Sequence, residues 1–370
     1  MTRLIVLGGF LGAGKTTALL GLARDLVGKG KRVGIIANDQ GQELVDTELY
    51  RAAGFDTRDV RGGCFCCRLE DFVAQAQLLV AKTRPDVLLA EPVGSCADLV
   101  ATVLRPLRQL QRDAFAIAPF VALVDPHRAH AVLGPASRAS LSEKVTYIYR
   151  LQQMEASAIA ISKIDTIAPD DLAKVHALLA QQYPGKPILR FSARTREGFE
   201  ALGAYLLGTD RIELPASPDI DYAVYAAGEA ELAWFDGRCT VTTPTPVDLD
   251  DAMLRLADAL RAALTANDLP IAHVKLLLRY GPAESAASVV ANDTEATLVR
   301  SANASAASME LVVNARVAAA PEELARAVGS CLAAWASDLR ATVDSQGQAF
   351  FSPAPPVPTW RIPSGKDDGA

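Results

Sequence analysis

The sequence predicts an α/β fold, a mostly parallel sheet flanked by helices, followed by a smaller α+β C-terminal domain. Three observations carry this. Short runs rich in β-branched residues alternate with helical patterns through roughly the first two hundred residues. These runs are apolar on both faces, as strands covered by helices on each side must be. The chain has 370 residues, more than one hydrophobic core usually organises, so a second domain is expected. Half of the residues are hydrophobic and 22% are charged, a composition that folds rather than remaining disordered. The formal net charge of −6 argues against a basic nucleic-acid surface or an electrostatic membrane anchor, so neither nucleic acid nor membrane is an expected partner.

Taken in order, the first-domain strands are expected at Leu4–Leu7, Arg32–Ala37, Val87–Ala90, Ala116–Val124, Ala158–Ile161 and Ile188–Phe191. Functional loops should lie at their carboxyl ends. The Pro- and Asp-containing stretch from Glu213 to Asp219 interrupts the pattern and reads as a linker. The expected boundaries are 1–213, a linker 214–221, a small α+β domain 222–343 and a Pro-rich tail 344–370. Within the second domain, a long strand or hairpin is expected over Tyr222–Thr243. A helix follows with Leu249, Met253, Leu256, Leu260 and Leu264 on one stripe, then strands at Ile271–Tyr280, Thr297–Arg300 and Met309–Val317. A last helix is expected from Pro321 to Thr342, with Leu324, Val328, Cys331 and Trp335 at core spacing. The proline-rich end should be extended. The apolar stretch Ala114–Val124 contains Pro119 and falls well short of the about 20 residues that a membrane-spanning helix needs. The expected location is therefore cytoplasmic, where clustered thiols serve as metal ligands or redox groups rather than as disulfides.

Gly9-Phe10-Leu11-Gly12-Ala13-Gly14-Lys15-Thr16 fits the P-loop pattern, directly after an apolar strand and directly before a helical run that opens at Thr17. Glycines let the backbone N–H groups around Gly9, Gly12, Ala13 and Gly14 curl round phosphates, and the helix N-terminus favours their charge. Lys15 would reach the β- and γ-phosphates and Thr16 would offer its hydroxyl to Mg²⁺. Glu91, at the tip of the Val87–Ala90 strand, stands where a carboxylate approaches Mg²⁺ through water, with an acidic helix cap as the competing account. Asp39, at the tip of Arg32–Asn38, is a second candidate for the metal sphere or for orienting the attacking water. Its rival role is turn formation in Asn38-Asp39-Gln40-Gly41. Ser162-Lys163-Ile164-Asp165 closes another strand. A carboxylate there can accept from guanine N1 and N2 while the Lys stem lies along the base, which favours GTP over ATP. Ser192 and Ala193 begin the loop expected to touch the base next.

Six cysteines are present, and three fall together in Arg61-Gly62-Gly63-Cys64-Phe65-Cys66-Cys67-Arg68. A following helix N-terminus with Arg61 and Arg68 should lower the thiol pKa values. Thiolate sulfur suits Zn²⁺. Residues so close in sequence rarely complete a tetrahedral set, so a further ligand is expected from Glu43, Asp46, a partner or a second subunit. Low-pKa neighbours also form disulfides, which keeps a redox switch open as a rival. Cys239 and Cys331 read as packing residues, and Cys96, close after Glu91, is undecided.

These residues together resemble the CobW family of P-loop GTPases, a metallochaperone-type family that serves metalloenzymes. The resemblance rests on Gly8–Thr17, Gly63-Cys64-Phe65-Cys66-Cys67, Glu91 with Gly94, and Ser162–Asp165, in that order. It implies a GTPase that binds zinc or cobalt through Cys64, Cys66 and Cys67 and delivers it to a client metalloprotein; intrinsic turnover is expected to be slow because no arginine finger is evident, with Arg61 and Arg68 the candidates for one. GTP and Mg²⁺ are the implied nucleotide and cofactor, and a homo-oligomer is one possible state. Two departures stand out: Ala37-Asn38-Asp39-Gln40-Gly41 replaces the family's Glu-Asn-Glu-aromatic-Gly, and Ser162 replaces Asn. The segment from Asp39 to Arg68 lies where a nucleotide-ordered switch is expected. The alternatives are a redox-sensing nucleotide-binding regulator, or a GTPase chaperone for a cobalamin-type cofactor that holds a structural zinc.

Overall fold

The computed structural model describes residues 1–41, 45–134, 141–208 and 213–364. The chain divides into two compact units. Met1–Gln40, Leu49–Tyr225 and Pro356–Ala370 form the first, and Gly41–Glu48 with Ala226–Pro355 form the second.

Along the first unit run β1 (Thr2–Gly9), α1 (Lys15–Gly28), β2 (Val33–Asp39), α2 (Val45–Ala52), β3 (Asp56–Arg61), α3 (Leu69–Thr83) and β4 (Val87–Glu91). After a π-helical turn over Val100–Leu104 come α4 (Arg105–Leu110), β5 (Phe115–Ile117), β6 (Val121–Val124), α5 (Pro126–Leu133) and α6 (Glu143–Glu155). Then follow β7 (Ala158–Ile161), α7 (Pro169–Gln182), β8 (Ile188–Arg190), α8 (Phe199–Leu207) and α9 (Tyr222–Ala230), which from Ala226 onward belongs to the second unit. The strands lie in the order β3-β2-β4-β1-β6-β7-β8, with β5 also pairing β1. Every registered pair is parallel. The expected central parallel sheet is therefore present. Leu4, Ile5, Val6 and Leu7 of β1 are all buried, because helices cover both faces. Since β1 lies between β4 and β6, the loop that follows it emerges at the middle of the sheet. Gly9 makes this approach possible: its φ is 127°, and a Cβ there would lie 2.4 Å from the Leu123 carbonyl oxygen.

Two differences from the expected strands have simple causes. The run Ala116–Val124 is two strands, because Pro119 has no N–H to give to a ladder. β3 was not foreseen, because Asp56-Thr57-Arg58-Asp59-Val60-Arg61 is an edge strand with charged side chains, the usual protection of an open edge.

The second unit continues with β9 (Leu232–Asp248), α10 (Leu249–Ala266), β10 (Ile271–Tyr280), β11 (Ala283–Val289), β12 (Thr297–Arg300), β13 (Ser305–Ala318), α11 (Pro321–Asp338) and β14 (Thr342–Phe351). Its sheet is antiparallel in the order β12-β11-β10-β13-β9-β14. The stripe Leu249, Met253, Leu256, Leu260 and Leu264 of α10 packs in one core with Leu324, Val328, Cys331 and Trp335 of α11. Each such buried side chain contributes about 1.5–3 kcal/mol. The Trp335 indole N–H donates to the Ala252 carbonyl at 3.0 Å, which satisfies its one polar atom. Residues 222–230 are helix rather than strand. β14 was hidden because most of its residues are exposed and its pairing with β9 replaces the internal apolar signal.

The described part of Gly41–Glu48 is tied into this second sheet. The Val45 N–H donates to Asn314 Oδ1 at 3.2 Å, Asp46 pairs with Lys275 at 2.5 Å and Glu48 pairs with Arg279 at 2.7 Å. Helix α2 thus begins in one unit and ends in the other. Among the described residues, no helix is long and apolar enough to cross a membrane.

Candidate functional site

The loop between β1 and α1 takes its shape from Gly12 and Gly14, with φ of 78° and 87°, in the left-handed region that other residues seldom adopt. The Lys15 ammonium donates to the Gly9 carbonyl at 3.0 Å and the Phe10 carbonyl at 3.4 Å. It is held back over the loop. Ala13 and Thr16 are buried, and Thr17 is exposed on the first turn of α1. Thr16 donates its hydroxyl to Glu91 Oε1 at 2.9 Å, so the two residues offered for Mg²⁺ meet directly. The Tyr50 hydroxyl of α2 donates to the other oxygen, Glu91 Oε2, at 2.5 Å. Asp39 ends β2, half-buried, on the strand whose Ala37 is registered against Glu91.

On the other side of β1, Ser162 donates to the Ala13 carbonyl at 2.8 Å and the Val124 carbonyl at 3.2 Å. Serine in place of the usual asparagine therefore still ties this motif to the P-loop. Lys163 donates to the Gly12 carbonyl at 2.7 Å and pairs with Asp125 at 3.0 Å. Burial alone would raise the Asp125 carboxyl, but the Lys163 ammonium and the Arg128 N–H hold it below its ordinary value. Asp165 pairs with Arg194 at 2.6 Å. Burial works to raise its carboxyl too, yet the Ser192 hydroxyl and the Arg194 guanidinium keep it low, an ionised acceptor of the kind guanine N1 and N2 require. Ser192 is buried and accepts the N–H groups of Arg194 and Thr195 at 3.2 and 3.0 Å. Ala193 lies half-buried between them.

Cys64, Cys66 and Cys67 are the group of potential metal ligands found among the described residues, with all three sulfurs within 4.8 Å of one another. The Cys67 and Arg68 N–H groups donate to the Cys64 carbonyl at 3.1 and 3.0 Å, a turn that gathers the sulfurs. Cys64 and Cys67 Sγ are 3.4 Å apart, and Cys66 and Cys67 Sγ are 3.8 Å apart. Four sulfurs round a zinc ion at 2.3 Å stand about 3.8 Å from one another, close to the two distances from Cys67. Asn38 holds the loop in place: its amide donates to the Val60 carbonyl at 3.0 Å and the Gly63 carbonyl at 2.7 Å, and its oxygen accepts the Phe65 N–H at 2.8 Å. The tail covers the far side. Val357 N–H donates to Cys67 Sγ at 3.2 Å, Thr359 N–H to the Cys66 carbonyl at 3.0 Å, and the Thr359 hydroxyl to the Cys67 carbonyl at 3.2 Å.

The expected role of the two arginines is corrected here. Arg61 pairs with Asp59 at 2.5 Å and Arg68 with Asp71 at 2.6 Å, so their charge goes to carboxylates. Of these three, only Cys64 is held well below the ordinary thiol value, through its hydrogen bonding with neighbouring thiols, Cys66 first. Cys66 is pushed well up and Cys67 up to about 11, in each case first by its hydrogen bond to Cys64. Of the further ligands expected, Asp46 is paired with Lys275 in the second unit, and Glu43 lies outside the described residues. His127 bonds through Nε2 to Thr166 at 3.1 and 3.2 Å.

The loop after Glu91 completes the site. A Cβ on Gly94 would lie 3.0 Å from the Leu11 backbone nitrogen, so only glycine lets this loop press on the P-loop. Buried Gln152 of α6 donates to the Gly94 and Cys96 carbonyls, both at 2.9 Å. Behind it, Glu155 is fully buried and accepts the Val100 N–H at 2.9 Å. Burial above all, with a contribution from the Asp98 charge, raises its carboxyl well above 4.5. The folded state therefore keeps a proton that the unfolded chain gives up above about pH 4.5, and this residue's contribution to stability falls as pH rises from there toward the folded value. Glu155→Gln is expected to raise the melting temperature, with a larger gain at pH 8 than at pH 5, as thermal melts at the two pH values will show.

Asn38, Tyr50, Cys96 and Gln152 make these contacts and were not assigned to the site from sequence. Each acts from a position remote from the motif it supports. The only local signal was the nearness of Asn38 to Asp39 and of Cys96 to Glu91.

The model of the CobW/HypB/UreG nucleotide-binding domain matches residues 3–190. Over 97 residues the chain is 36% identical to a zinc chaperone CobW of a Sinorhizobium species, covering 24% of this chain and 27% of that protein. Over 96 residues it is 34% identical to the zinc chaperone YeiR of Escherichia coli K12, covering 25% of this chain and 29% of that one. The chain thus spans less than a third of the length of these two curated relatives. Among solved structures, HypB from Helicobacter pylori in complex with nickel aligns with 19% identity and a TM-score of 0.43, covering 59% of this chain and 92% of that chain.

Proposed function

Because the chain belongs to the CobW/HypB/UreG family, matched over residues 3–190, we propose that it is a GTP-hydrolysing metallochaperone that carries zinc on Cys64, Cys66 and Cys67 to a client metalloprotein. The observation that supports this most directly is the trio of thiols within 4.8 Å of one another, on a loop held by Asn38 next to Asp39 at the tip of β2. One strand end thus serves both the cysteine loop and the nucleotide side. Three soft sulfurs favour zinc over a hard cation, and the zinc chaperone names of two relatives agree with that choice.

In this reading Lys15 binds the β- and γ-phosphates, and Asp165 fixes the base as guanine with Lys163 along its face. Thr16 and Glu91 are the residues that would hold Mg²⁺, which when bound neutralises charge on the phosphates. Asp39 would join the metal sphere or orient the attacking water. Tyr50 ties α2 to Glu91, so a change at that carboxylate is felt directly by the helix.

Nucleotide and metal occupancy should be coupled reciprocally. Competition with a chromophoric chelator under anaerobic conditions is expected to give zinc affinities at least about fivefold apart in the GDP and non-hydrolysable GTP analogue states. Equal affinities in the two states would remove the coupling and with it the metallochaperone reading.

A further inference from the structure

The tail segment that crosses the cysteine loop belongs to the first unit, together with the loops it bridges. It is held by polar contacts more than by packing, since the Val357 and Trp360 side chains are 74% and 45% exposed. At one end it meets the cysteines. Val357 N–H donates to Cys67 Sγ, Thr359 N–H to the Cys66 carbonyl and the Thr359 hydroxyl to the Cys67 carbonyl. At the other end it meets the loop that leads away from Glu91. Arg361 Nε donates to Asp98 Oδ2 at 2.7 Å, and the Ile362 N–H donates to the Ala101 carbonyl at 2.8 Å. Ala101 lies in the π-helical turn Val100–Leu104, an irregularity frequent at functional sites. Asp98 is fully buried with a φ of 64°, a left-handed conformation that such a residue keeps only where its surroundings enforce it. The Tyr222 hydroxyl donates to the same Oδ2 at 2.6 Å, which fixes the anchor from another side.

We propose that residues 357–362 are a latch on the cysteine loop, opened from the nucleotide side through the loop that carries Gly94 and Asp98. The proposal rests on the metal-carrying reading above and deepens it by naming what controls access to the sulfurs. Gly94 presses on the P-loop at Leu11, and Asp98 follows four residues later on the same loop. A nucleotide that shifts this loop therefore also pulls on Arg361 and Ile362. The covering stretch has few main-chain hydrogen bonds and outward apolar side chains, the marks of a segment that opens locally. The Arg361 pair with buried Asp98 keeps it tethered while it does so. With the latch closed, Cys67 Sγ accepts a backbone N–H, the kind of outer contact that orients a ligand and tunes its basicity. With the latch open, that sulfur is uncovered for a client thiolate or imidazole.

The test is alkylation of the reduced, metal-free full chain with iodoacetamide, followed cysteine by cysteine by mass spectrometry. The double variant Val357→Pro with Thr359→Val removes two of the three covering bonds, and position 357 already lies between Pro356 and Pro358. Each net hydrogen bond corresponds to roughly a 2–10-fold change in an opening equilibrium, so Cys67 is expected to react at least about fivefold faster in the variant. Cys239 and Cys331, in the core of the second unit, should react as in the wild type. In the wild type, the Cys67 rate is expected to differ at least about threefold between GDP and a non-hydrolysable GTP analogue. Arg361→Met, which removes the charged tie to Asp98, should abolish that difference. A Cys67 rate equal in wild type and double variant, or equal in the two nucleotide states, would overturn the latch. A nucleotide difference that survives Arg361→Met would overturn the route through Asp98. Faster reaction of Cys239 and Cys331 would mark a variant that fails to fold, and the wild-type comparison of nucleotide states then decides alone. Nucleotide-dependent alkylation with zinc affinity indifferent to nucleotide would uphold the latch and sink the chaperone reading, and the opposite pair of results would do the reverse.

Discussion

Glu91→Gln is expected to lower GTP turnover by roughly 10²–10³-fold, the usual effect of removing one preorganised electrostatic partner from a reacting site. The carboxylate is buried and accepts two hydroxyls, from Thr16 at 2.9 Å and from Tyr50 at 2.5 Å. A glutamine has the same shape, its oxygen can accept from one hydroxyl, and its NH₂ can donate to the other, so the fold should persist. The negative charge opposite Thr16 is what disappears, and with it the partner for a divalent cation beside the phosphates. Phosphate release at saturating GTP measures the loss, and binding of a fluorescent GDP should remain close to wild type. Turnover within about threefold of wild type would show that the charge at this strand tip has no part in hydrolysis.

The second large effect is expected at the sulfurs. Cys64→Ser should reduce zinc affinity by more than about 100-fold, beyond the 10–100-fold typical of losing a residue that only supports a ligand. Cys64 is the thiol held below its ordinary value by its three thiol neighbours, and a serine hydroxyl at neutral pH offers no comparable anion. The two partners would then lie beside an oxygen at the corner where the shortest sulfur contact, 3.4 Å to Cys67, had been. Chelator competition under anaerobic conditions reads the change. Cys331→Ser, in the core of the second unit, is the matched control and should leave affinity within about twofold. Loss of zinc in both variants, or in neither, would contradict the assignment of the metal to the cysteine loop.

What could be read from the sequence was what is contiguous in it. Gly9–Thr16 declares a phosphate loop because turn, lysine and hydroxyl lie within one strand–helix junction, and Cys64–Cys67 declares a sulfur cluster for the same reason. The parallel sheet was legible through its two-sided apolar strands. β3 and β14 were not, since charged and exposed side chains at sheet edges carry no apolar period. The supports of the site were hidden for a different reason. Tyr50 reaches Glu91 across a separation of 41 residues and Val357 reaches Cys67 across 290, and no local pattern encodes such meetings. The arginines flanking the cysteines misled in the opposite sense: their acidic partners Asp59 and Asp71 were only two and three positions away, near enough for a salt bridge to take up their charge.

The tail contact with Cys67 also has a consequence in time. A ribosome adds about 5–20 residues per second, so the 290 positions between Cys67 and Val357 take roughly 15–60 s to synthesise. During that interval the cysteine loop has emerged without the tail segment that later lies across it. First loading of a metal and later exchange thus face different barriers: the nascent chain offers its sulfurs uncovered, and the finished chain must lift Val357 and Thr359 to do so again.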